Sequence, residues 1–197
     1  MAGVEVTFTK VAGRRYRVTV RREHGPRLAP RHGPGYHDHL PHDAVHFLVE
    51  CEARMSGGVF GRIAQGHSNL FWAAEPRDAQ RQRRRDAKRR ITPQQHADMQ
   101  ASEALATVCQ ALWEARAGLP ARAPSPSDLA SRSMDGALVE RILGRLDAFA
   151  AAWHALPVDG SITVAWPLRA PPPGGSQART RRAAVQRRVV RTPARGR

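Results

Sequence analysis

Residues 4–21, VEVTFTKVAGRRYRVTVR, decide the fold class. In Val4 to Thr9 the apolar Val4, Val6 and Phe8 alternate with Glu5, Thr7 and Thr9. In Arg15 to Arg21 the apolar Tyr16, Val18 and Val20 alternate with Arg15, Arg17, Thr19 and Arg21. A period of two marks a strand with one face in a core, and Gly13 supplies a turn residue in the short connection, so the stretch predicts a β-hairpin. Ser161 to Trp166 repeats the period, with Ile162, Val164 and Trp166 on one side. Three such strands predict an α+β fold: a small antiparallel or mixed sheet, wet on one side and packed on the other by about three helices.

Those helices are expected near residues 41–56, 93–117 and 135–156. The first begins at Pro41, favoured at the first helical position, and is expected to end near Gly57 and Gly58, where glycine can cap it. The second has Thr92 as N-cap and Pro93 as first residue, with Leu105, Val108, Cys109, Leu112 and Trp113 at core spacing. The third places Val139, Ile142, Leu146, Phe149, Ala150 and Trp153 on one stripe until Pro157 stops it. Trp113, Trp153 and Trp166 are expected in or beside one core.

The chain has 197 residues, 41% of them hydrophobic, which suits one domain over residues 1–168. Proline- and glycine-rich stretches make residues 23–39 and 118–134 loops. Residues 169–197 contain nine arginines and no acid, and read as a disordered arginine-rich tail. Cys51 and Cys109 stand far apart without CxxC spacing, which fits neither a disulfide framework nor a cysteine zinc site and points to a reducing cytoplasm. No window approaches the apolar length of a membrane span, and the N-terminus has no signal-peptide pattern.

The formal net charge is +15, and its location matters more than its size. Residues 77–90, RDAQRQRRRDAKRR, hold eight cations and two anions; with the tail they account for the whole excess, leaving a neutral body. An arginine-rich helix there would present Arg81, Arg83, Arg84, Arg85, Lys88, Arg89 and Arg90 to phosphates or to an acidic protein surface. Partners expected through residues 77–90 and 169–197 are therefore nonspecific nucleic acid or an acidic protein. Thirty of the 32 cations are arginine, in a chain also rich in alanine, glycine and proline, and a GC-rich bacterial coding bias produces the same pattern. The wet face of the sheet offers Arg15, Arg17 and Arg21 but no aromatic ring for base stacking.

The other concentration of chemistry is PGYHDHLPHDAVHFLVE, residues 34–50, with four of the nine histidines. On a helix of 3.6 residues per turn Val45, Leu48 and Val49 face one way, while His42, His46 and Glu50 form an i, i+4, i+8 stripe with Asp43 adjoining. Two histidines at i, i+4 can share a divalent ion and a carboxylate can add a third ligand, a donor set that suits zinc, iron or manganese. His37 and His39 lie just ahead of the helix, where they could close the shell. The same stripe also fits a solvated helix face, with Asp43 favoured by the helix dipole, or a metal-free acid/base role for one histidine. HDAVH, residues 42–46, resembles the HDxxH zinc motif of the ubiquinone-biosynthesis proteins related to yeast Coq four. That resemblance implies His42, Asp43 and His46 as ligands, although Gly58 stands where the family's later glutamate is expected. LPHDAVHFLVE is also similar to a string in small bacterial proteins of unknown function. SGGVFGRIAQG, residues 56–66, has no Walker-type Lys-Ser/Thr and reads as a helix end and a short capped turn.

Overall fold

The computed structural model describes residues 3–33, 39–67, 70–120 and 135–167. The 169–197 segment, His37 and most of the 118–134 connector lie outside the described residues.

The hairpin forms as its alternation requires. Strands β1 (Val4–Val11) and β2 (Arg15–Arg22) pair antiparallel with Val6 opposite Val20 and Phe8 opposite Val18, so the apolar sets share one face. Gly13 and Arg14 both take left-handed φ in the turn, at 76° and 65°, the twist that tight hairpins favour. A short β3 (Arg31–His32) flanks β2, and β4 (Ser161–Ala165) flanks β1, giving the order β3-β2-β1-β4 with every pairing antiparallel. On the open face threonine and serine hydroxyls pair across strands, Thr7 with Thr163 at 2.8 Å and Thr9 with Ser161 at 3.0 Å. Glu5, Arg17 and Arg21 are exposed there, the wet side that the pattern predicted.

Five helices are described, two more than the three expected: α1 (His42–Glu52), α2 (Val59–Ala64), α3 (Pro76–Lys88), α4 (Pro93–Arg116) and α5 (Gly136–His154). The α+β class holds, with an antiparallel sheet. Helix α4 starts in a capping box, Thr92 accepting from Gln95 N–H while the Gln95 side chain accepts from Thr92 N–H. Asp135 caps α5 by accepting from Ala137 N–H. Lys10 of β1 ties down the other end of α5, donating from Nζ to the carbonyls of Trp153 and Leu156, as cations do at helix C-termini.

Helix α1 ends earlier than its glycines suggest. Arg54 takes the left-handed conformation (φ 56°), Met55 N–H donates to the Glu50 carbonyl, and Arg54 N–H donates to that of Cys51. This is a Schellman closure with arginine where glycine is usual. The segment read as a capped turn then supplies α2.

The core joins the inner face of the sheet to α1, α2, α4 and α5, and Trp113, Trp153 and Trp166 all belong to it. Phe47 of α1 makes edge-on ring contacts with Phe8, Phe60 and Trp166. Helix α1 lies against α4 and α5 as well as α2, so its polar stripe is enclosed along with its apolar one: Asp43, His46 and Glu50 are all buried.

Candidate functional site

The polar side of α1 divides into two networks. Asp43 belongs to the first. Its carboxylate accepts from the Tyr16 hydroxyl at 2.8 Å and from the Arg31 guanidinium, while its own N–H donates to the Tyr16 oxygen at 3.2 Å. Burial, and then the negative charge of Asp43, push the Tyr16 hydroxyl well above its ordinary pKa, so it stays a donor. The Tyr16 ring lies where a Cβ on Gly33 would come within 1.9 Å, so only glycine lets β3 approach. Arg31 in turn sits over the Phe71 ring at 5.2 Å. Asp43 thus locks α1 to β2 and β3.

Glu50, 0% exposed, anchors the second network. One carboxylate oxygen accepts from Val59 N–H (2.7 Å) and the Ser102 hydroxyl (3.0 Å), the other from Phe60 N–H (2.8 Å) and Gly61 N–H (3.2 Å). Helix α2 has no capping side chain of its own, and Glu50 satisfies its unpaired amides from the neighbouring helix. A Cβ at Gly58 would fall 2.3 Å from the Glu50 carboxyl carbon, so glycine is needed for this approach. Burial raises the Glu50 pKa to about 7 against the opposing effect of these donors.

From Glu50 the network runs to the histidines. Ser102 of α4 donates to Glu50, so its oxygen is left to accept from His46 Nδ1–H at 3.2 Å. That fixes the tautomer of a neutral His46 and leaves its Nε2 with a lone pair, 3.2 Å from His42 Nε2. The two rings stand edge to face with centroids 4.6 Å apart. His46 is 5% exposed, and burial followed by the neighbouring His42 lowers its pKa against the pull of Glu103 and Asp43. Glu103 of α4, its side chain 70% exposed, brings a carboxylate oxygen to 3.7 Å from His46 Nε2.

The structure therefore brings His42 and His46 together, keeps Glu50 one hydroxyl away from His46, and turns Asp43 to Tyr16 and Arg31. His39 packs edge-on against His154 instead, with centroids 5.7 Å apart. Among the described residues no group of three or more His, Cys, Asp or Glu side chains is gathered closely enough to hold a metal ion. Ser102 and Glu103 escaped the sequence reading because they lie on a helix recognised by its apolar spacing, and only packing against α1 gives them a role.

Segment 77–90 forms α3 with a short extension, and Arg81, Arg83, Arg84, Arg85, Lys88, Arg89 and Arg90 are all exposed. Its one buried residue is Gln82. Among the described residues no helix is long and apolar enough to cross a membrane. No family model matches the sequence, and neither a curated protein nor a solved structure matches it.

Proposed function

We propose that the protein binds a divalent transition-metal ion through His42 and His46, with Glu103 as a third donor and with Ser102 and Glu50 orienting His46 from behind. The observation that carries this reading is the pair of Nε2 atoms 3.2 Å apart, one of them on an imidazole whose other nitrogen is tied through a hydroxyl to a fully buried carboxylate. With metal–nitrogen bonds of about 2.0–2.1 Å this separation corresponds to a nitrogen–metal–nitrogen angle of about 100°, near tetrahedral. A ligating histidine typically donates its second N–H to such an orienting group, which holds the ring and raises its basicity. Glu103 reaches the ion by rotation of an exposed side chain.

Two imidazoles and a carboxylate, with the remaining positions left to water, suit zinc, iron or manganese. Asp43 stays outside the ligand set in this reading, held by Tyr16 and Arg31. Cys51 and Cys109 are free thiols whose pKa burial raises to about 12, which makes them poor ligands; a cytoplasmic location accords with them.

Calorimetric titration of zinc into untagged, chelator-treated full-length protein tests the proposal. A single saturable site is expected, lost in His42→Ala and in His46→Ala. Ser102→Ala is expected to weaken it about 10- to 100-fold, because His46 loses its orienting partner. If His46→Ala binds zinc as tightly as the wild type, the reading is wrong.

A further inference from the structure

Helix α3 and the segment before it form a surface that the histidine network does not use. Gln82 is the anchor: Ala73 N–H donates to its Oε1 at 2.7 Å and its Nε2 donates to the Phe71 carbonyl at 3.3 Å. This pins Phe71 and Ala73 inward and turns Trp72 outward between them, 38% exposed. The other three tryptophans are buried. The Arg83 guanidinium lies 5.1 Å from the Trp72 ring centroid.

At about 100° per residue Arg77, Arg81, Arg84, Arg85 and Lys88 fall on one continuous stripe of α3. Arg81 and Arg85 border a cavity of about 170 Å³, lined also by Pro26, Asp78 and Gln82, with Asp78 paired to Arg81 at 3.6 Å. A stripe of this kind attracts any polyanion. The outward tryptophan adds a contact that phosphate attraction alone does not need, since an exposed ring whose cation partner can swing aside offers a stacking platform to an unpaired base.

We infer that α3 and Trp72 bind single-stranded nucleic acid, the arginine stripe following the sugar–phosphate backbone and Trp72 stacking on an unpaired base. The experiment measures full-length protein, with chelator present, against labelled oligothymidylate, a duplex of the same length and polyglutamate. Trp72→Ala is expected to weaken oligothymidylate binding about 5- to 100-fold while leaving the other two unchanged, and Trp72→Phe to recover most of the loss. Changing Arg81, Arg84, Arg85 and Lys88 to glutamine flattens the salt dependence of oligothymidylate binding. In the unmutated protein, saturating oligothymidylate shields tryptophan fluorescence from acrylamide, because Trp72 is the exposed one. Unchanged oligothymidylate affinity in Trp72→Ala, an equal loss for all three ligands, or no shielding overturns the inference.

Discussion

A carboxylate enclosed by four donors responds to pH differently from the surface acid that the spacing of Glu50 along α1 suggests. Its pKa rises from 4.5 to about 7 in the folded chain, so between those values the native state holds a proton that the unfolded state has released. The stability it contributes is fully present below about pH 4.5 and declines as pH rises towards 7. His46 works in the opposite direction: its pKa is lowered from 6.5, so its contribution is lost as pH falls below that value. Comparing wild type with Glu50→Gln in chelator keeps His46 in both proteins and exposes the carboxyl. Urea denaturation is expected to show the wild type losing ground to the variant between about pH 4.5 and 7, by up to about 3 kcal/mol, with no further change above that. A constant gap would mean that Glu50 is ionised throughout. The stripe His42, His46, Glu50 was legible from spacing alone. Its partners were not, because Ser102 lies 56 positions from His46 and is joined to it only by packing.

At the scale of elements, legibility followed length and amphipathicity. Helices α4 and α5 are long, capped by Thr92 and Asp135, and bury the apolar positions that mark them, so their extents match the expectation closely. Helix α1 was legible as a helix but not in its surroundings: a polar stripe reads as wet, whereas here α2 and α4 satisfy it. The two-residue β3 and six-residue α2 are too short for any period to declare itself, and each is held by side chains from elsewhere, Tyr16 and Asp43 (through Arg31) in one case and Glu50 in the other. Helix α3 is attached to residues 71–73 by the buried Gln82 and, at the surface, by Arg83 over Trp72. Replacing Gln82 with alanine leaves a buried amide and carbonyl unpaired, at a cost of about 1–3 kcal/mol. Hydrogen exchange is expected to accelerate over residues 71–88 while α4 and α5 keep their protection; uniform acceleration would instead mean that Gln82 supports the whole core.

At the scale of the molecule, the hairpin and β4 supply a sheet wet on one face, and α1, α2, α4 and α5 build the core on the other, with α1 innermost. The charge balance of the sequence carries through in part: the excess of residues 77–90 sits on an exposed helix outside the core. The core encloses the Glu50–Ser102–His46 relay and leaves His42 partly exposed, so the pair faces solvent on one side and a fixed proton network on the other. The proposed ion would have an open approach and a rigid back there. The direct test is elemental analysis of untagged protein purified from medium supplemented with zinc, iron and manganese, beside a His42→Ala/His46→Ala variant prepared identically. Roughly one ion per chain is predicted in the wild type and essentially none in the variant, whereas equal metal content in the two proteins would contradict the account.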